Sequence, residues 1–219
     1  MKRVLTAIVC LFFTIQLHAQ EQAAPYYGFR LGLTAHPTVG FLKVENGKSN
    51  GISLGFSYGL IGDFNFAENY SFSTGLTVTT INGKSTELFS AISGSNQVEW
   101  NYKYKMQYIE IPLTIKLKTG HIAGIRWFGQ FGLSNDFRIA SHRDIESKQE
   151  GLSAENVDAK DATRFYRAGM IIGGGGEFDI SGNTSLMLGL TLNNGFTTIS
   201  KGESSIRNHY VGINVGVFF

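Results

Sequence analysis

Cysteine occurs once in the 219 residues, at Cys10, and proline only three times. Because Cys10 sits in an apolar N-terminal stretch, the rest of the chain is expected to hold no disulfide, no thiol nucleophile and no cysteine-bound metal. A lipid-modified cysteine does not fit either, since Ala7-Ile8-Val9-Cys10 falls in the middle of the apolar run and not at its end. Long hydrophobic segments are also missing. Beyond residue 19 no run reaches the roughly 18 apolar residues of a membrane-crossing helix.

No sign of charge prevails. Lys2 and Arg3, the apolar stretch from Val4 to Ile15 and the small residue Ala19 read as a signal peptide over residues 1–19, cleaved between Ala19 and Gln20. Its removal takes two of the 19 basic residues and none of the 17 acidic ones, leaving 17 of each. A formally neutral chain exerts no net pull on phosphate backbones, which excludes nucleic acid as a partner.

Glycine is abundant at 27 residues and aromatics reach 13%. Small residues and aromatics suit long strands that are lipid-facing on one side and crowded on the other. The closing stretch IRNHYVGINVGVFF sets Val211, Ile213, Val215 and Val217 against Tyr210, Gly212, Asn214 and Gly216, the period-two pattern of a strand apolar on one face. Seven more stretches alternate in the same way: 26–36, 51–66, 70–81, 103–118, 123–139, 164–180 and 185–193. Short turns are expected at 67–69, 119–122 and 181–183. Longer connections are expected at 37–50, 82–102 and 140–163, with a medium one at 200–205. That alternation of long and short predicts an all-β fold, an eight-stranded antiparallel up-and-down transmembrane β-barrel over residues 20–219. The competing soluble barrel would put its apolar face inside. Its exposed face would need Lys and Glu where this chain has Ser, Gly, Thr and Asn. Aromatics gather near the expected rims, Phe64, Phe66, Tyr70 and Phe178 at one and Trp100, Tyr102, Tyr104, Phe165, Tyr166 and Tyr210 at the other.

The segment Tyr108-Ile109-Glu110-Ile111-Pro112-Leu113, the Gly-rich strands and the N-terminal His18-Ala19-Gln20 resemble the outer-membrane β-barrel family of Bacteroidota often called PorT-like. The resemblance covers nearly the whole mature chain. It implies the outer membrane as the location, and for one type of member a place in a secretion system.

On the inward register the alternation collects Arg30, Glu110, Lys116, Arg126, Asp136, Arg138, Arg167 and Glu177. Charges in so narrow a lumen must be paired or hydrated, and the expected arrangement is a salt-bridged plug, with Glu110 paired to Arg126 or Arg167. Pro112 removes a ladder donor in mid-strand and is expected to mark a bulge. Gly173 to Gly176 lack the Lys-Ser/Thr of a phosphate loop and are expected to make room for bulky neighbours. Ser141, His142 and Asp144 open the longest connection, but neighbours on a strand face opposite ways, so no nucleophile–base pair is expected. His36 and His209, both expected at the outer rim, fall in opposite registers, and no metal site or cofactor is expected from them. Tyr210, Phe218 and Phe219 read as a C-terminal assembly signal for the outer-membrane insertion machinery.

These features predict a non-enzymatic barrel, with outer-membrane lipid and lipopolysaccharide as surroundings and an unidentified protein as a further partner of its outer loops. The alternatives are a narrow channel, an accessory role in secretion and, least, a hydrolase at the rim.

Overall fold

A computed structural model describes residues 28–45, 47–90, 97–147, 151–202 and 205–219. The expected signal, its cleavage point at Ala19 and Gln20, and Cys10 lie outside the described residues. Ten strands follow in chain order: β1 (Phe29–Val44), β2 (Gly47–Ser49), β3 (Ser53–Ala67), β4 (Tyr70–Ser90), β5 (Gln97–Ile122), β6 (Ile125–Ser147), β7 (Leu152–Asp158), β8 (Tyr166–Ser181), β9 (Thr184–Gly195) and β10 (Ile206–Phe218). Eight are staves. Each pairs antiparallel with its neighbours in the order β1-β3-β4-β5-β6-β8-β9-β10, and β10 returns to β1 through pairs such as Val39 with Val211 and Leu33 with Val217. The short β2 and β7 lie on β4 and β6. No backbone edge is left along the circuit, the condition for spanning lipid with strands.

The side chains divide as the alternation predicts, with the apolar face outward. Leu54 is 73% exposed and Leu190 58%, whereas Thr38, Asp136 and Arg167 are at 0%. Water would not tolerate an apolar surface that encircles the whole barrel, and the soluble alternative is thereby contradicted. Outward aromatics do form a girdle near the short-turn end, where Phe29 packs on Phe64 at 4.6 Å and Phe66 on Tyr70 at 6.2 Å.

Several boundaries differ from expectation. β1 continues through Pro37 to Val44, so the stretch read as a loop is strand and His36 stands in mid-stave, not at the rim. The segments 82–102 and 140–163 are largely the upper halves of β4, β5 and β6, together with β7. These extensions rise beyond the lipid-facing belt, where water on the outer face removes the apolar half of the alternation. The turn after β5 falls at Ala123 and Gly124, whose φ values of 53° and 79° reverse the chain, while residues 119–122 belong to the strand.

Pro112 does not make a bulge. Its pairing with Ser134 on β6 is regular, and the interruption lies on the β4 side, where pairing jumps from Thr74–Leu113 to Thr77–Glu110. Pro37 does the same at the β1–β10 seam, between Thr34–Gly216 and Thr38–Gly212, and the Thr34 hydroxyl donates to the Val215 carbonyl at 2.8 Å within that gap. β5–β6 has two irregularities, one at 107/108, where Ile139 is the extra residue, and one between Lys118 and His121 near the turn.

Candidate functional site

The site is the lumen, which is filled in layers. At the short-turn end β3 supplies Asp63, β5 supplies Lys116 and Lys118, β8 supplies Glu177 and β1 supplies Arg30. Lys116 Nζ lies 2.8 Å from Asp63 and 3.4 Å from Glu177, and Lys118 Nζ 3.3 Å from Asp63. Arg30 bridges Asp63 at 3.1 Å and Glu177 at 2.8 Å. Ser73 donates to the other oxygen of Asp63 at 2.5 Å. Two buried carboxylates thus hold three cations. The desolvation cost of each ion is offset only because nearly every partner is present.

Beside this cluster sit Phe128, opposite Lys118, Met187, opposite Glu177, and Phe218, with Ile61 packed against them. The Phe218 ring centroid is 4.6 Å from the Arg30 guanidinium and 4.8 Å from Lys116 Nζ, so the ring faces add cation–π attraction to the ion pairs. A cavity of about 80 Å³ follows at mid-height, bordered by Thr34, His36, Ser57, Thr191 and Asn214. Ile61, Met187 and Phe218 share its lining with these polar groups, and it has room for a few waters.

The next layer is centred on Arg167. Its guanidinium contacts Asp136 and donates from Nη2 to the Asn193 side chain at 2.9 Å and to the Asn208 carbonyl at 2.8 Å. Gly169 and Gly195 give it space, since a Cβ at Gly195 would stand 2.8 Å from Nη2 and one at Gly169 3.2 Å from Nη1. Glu110 accepts the Tyr210 hydroxyl at 2.8 and 2.9 Å and the Asn193 amide at 3.3 Å. The top is closed by an apolar cap that includes Leu42, Ile81, Met106, Tyr108 and Ile206. Four cations, Arg30, Lys116, Lys118 and Arg167, are therefore matched by four carboxylates, Asp63, Glu177, Asp136 and Glu110.

Of the residues expected in the lumen, Arg30, Lys116 and Glu177 meet at one end, and Glu110, Asp136 and Arg167 meet higher up. Arg126 and Arg138 join neither group. Arg126 is the cross-strand neighbour of Glu177 and His121 at the lower rim and makes no ion pair among the described residues. Arg138 is the cross-strand partner of the inward Tyr108, just below the Ile139 bulge, and its Nε donates to the Arg164 carbonyl at 3.2 Å. The expected pairing of Glu110 with Arg126 or Arg167 is corrected accordingly. Glu110 stands opposite Asp136, far above Arg126, and Tyr210 takes its oxygens while Asp136 takes Arg167. Asp63 and Lys118 were not singled out, although both continue the inward registers of Ser57 and Lys116.

Phe218 points inward and is buried, while Phe219 is exposed and its N–H donates to the Leu31 carbonyl at 2.8 Å. Tyr210, Tyr104 and Tyr102 belong to the interior side and not to an outer girdle. His36 faces the lumen, and His209 faces outward, stacked on Phe41 at 5.1 Å. Ser141 is buried and accepts a bond from Thr163 at 3.1 Å, whereas Asp144 is tied to Lys105 at 2.8 Å, so the two are separately engaged. Gly173 and Gly175 make close approaches to Thr191 and to the Leu188 carbonyl.

The outer extension has its own electrostatics. The Lys105 ammonium holds the Asp144 carboxyl below the usual carboxylate range, helped by the Asn156 N–H, and burial pushes Glu87 upward.

A closed antiparallel barrel, apolar outside and ion-paired inside, defines an integral outer-membrane protein. The outer membrane protein beta-barrel domain family matches residues 18–201, and the chain belongs to it. No curated protein matches the sequence. Among solved structures the chain is similar to Neisserial surface protein A (11% identity, TM-score 0.45, covering 87% of this chain and 97% of that one). It is also similar to OprG from Pseudomonas aeruginosa (10%, 0.41, 87% and 93%) and to Ail from Yersinia pestis (11%, 0.39, 87% and 98%). The likeness is one of fold alone.

Proposed function

We propose that this outer-membrane barrel is a non-enzymatic anchor of the PorT-like type, plugged along its axis, that presents the extensions of β4, β5, β6 and β7 to a partner outside the cell. The layered lumen carries this reading. Strands with short turns at one end and long extensions at the other put the extensions outward. Among the described residues the axis is occupied by Asp63, Lys116 and Glu177 below and by Tyr108 and Met106 above, which speaks against the channel alternative. Residues 1–19 act as a removable export signal, and the exposed Phe219 at the end of β10 is what the insertion machinery reads. Deletion of Phe219, followed as the amount of chain in the outer membrane, tests the last point, and an unchanged amount contradicts it.

The test of the anchor reading is planar-bilayer conductance of the refolded full chain. A quiet bilayer with the heat-modifiable, folded protein inserted is expected. A steady, reproducible open-channel current would replace the plugged anchor with a conducting pore.

A further inference from the structure

On the outward face of the upper rim two cations stand directly opposite each other. Lys43 on β1 and Arg207 on β10 are cross-strand partners in the same register as the outward Val39–Val211 pair. Like charges in that position repel and cost stability unless an anion lies between them. Beneath them Phe41 stacks on His209. Continuing around the barrel past the exposed Phe196, just beyond β9, come Lys201 and Arg164. Arg164 Nε donates to the Ser200 carbonyl at 3.1 Å. A main-chain oxygen therefore fixes its guanidinium plane. Among the described residues no bond engages its terminal nitrogens, the pair of donors that grips a phosphate.

An open cleft of about 760 Å³ is lined by two of these cations, Arg164 and Lys201, by an aromatic shelf of Phe165 and Tyr166, and by Thr197 and Thr198. Phe137 backs the shelf at 5.9 Å from Phe165 and 5.6 Å from Tyr166. Among the described residues Lys43, Arg207, Lys201 and Arg164 form no ion pair, and the carboxylates Glu45 and Asp161 are exposed and not bridged to them. The arc is thus basic above and apolar below, at the level where hydrocarbon gives way to headgroups.

We propose that Lys43, Arg207, Lys201 and Arg164 seat the phosphate groups of an outer-leaflet glycolipid, with its acyl chains against Phe165, Tyr166 and Phe196. The seat rests on the reading of this rim as the outward one. It gives the Lys43–Arg207 pair an anion that it lacks among the described residues, and it matches a lipid in both charge and polarity gradient.

The test uses the mature full chain in phosphatidylcholine nanodiscs doped with diphosphoryl lipid A, with retained lipid counted by native mass spectrometry. Wild-type protein is expected to retain lipid A in preference to its dephosphorylated form. The double variants Lys43→Gln/Arg207→Gln and Arg164→Gln/Lys201→Gln are each expected to lose about tenfold or more in retention. Heat-modifiable migration of the variants should be unchanged, which separates loss of the seat from loss of the barrel. Equal retention of dephosphorylated lipid A, undiminished retention by both variants, or full displacement by inorganic phosphate would each overturn the proposal. Absence of heat-modifiable migration in the wild type would contradict the barrel itself, and the seat with it.

Discussion

Tyr210 on β10 and Glu110 on β5 are joined across the full width of the lumen, the hydroxyl donating to both carboxylate oxygens at 2.8 and 2.9 Å. β5 and β10 stand four staves apart in either direction, so this contact fixes the barrel's diameter where ladder bonds cannot. Replacing Tyr210→Phe keeps the ring and removes the donor, leaving Glu110 with Asn193 and Thr79. The expected loss is about 1–3 kcal/mol, read as a lower denaturant midpoint for the refolded barrel in detergent micelles.

Arg167→Met should cost more. It strands Asp136 without its cation and frees Asn193 and Asn208 at the same time. Breaking one partner of a buried pair costs about 3–5 kcal/mol, and the double variant Arg167→Met/Asp136→Leu should recover much of that. Equilibrium unfolding of the two single variants and the double one measures the coupling. A double variant no better than Arg167→Met would mean that the pair is not what holds this layer.

The outward face should be sensitive only in lipid. Leu188→Arg or Ile213→Arg, on staves whose side chains face outward, is expected to cost about 2–4 kcal/mol when folding is measured into vesicles. Partition of the same variants in water-filled micelle headgroup regions should be far less affected.

Above the lipid belt the pH dependence has two signs. Asp144 is held below its ordinary value by Lys105. Its tie is therefore complete above the ordinary aspartate range near about 4 and is lost as pH falls through the depressed value. Glu87 is raised by burial, so its contribution is present at low pH and is lost as pH rises through the raised value. Carboxyl NMR titration checks both. Lys105→Ala should return Asp144 toward its usual range, and an Asp144 midpoint unmoved by that change contradicts the tie.

The staves and the division into inner and outer faces were legible in the sequence because lipid imposes an alternation that Val211 to Val217 or Leu186 to Leu192 display without ambiguity. The upper reaches of β4, β5 and β6 were not. Past the belt both faces meet polar surroundings, and residues such as Lys84 and Asn101 look like loop. Partners within the lumen were illegible for another reason. Alternation says that Glu110, Arg126 and Arg167 point inward, but the relative height of residues on different staves depends on register. Register places Arg126 beside Glu177 and leaves Glu110 beside Asp136. Asp63 was in plain view on the inward register of β3, yet its role as the hub for three cations arises only once β1, β5 and β8 are set around it.

The seam between β1 and β10 offers the most direct measurement. Cys10 is the single cysteine, so a pair introduced as Val39→Cys and Val211→Cys, partners in register across the seam, provides a clean reporter in cells. A closed barrel in the outer membrane predicts that oxidation cross-links the pair and that the linked chain is found in the outer-membrane fraction. A chain that remains unlinked there, or that is recovered soluble from the periplasm, would contradict it.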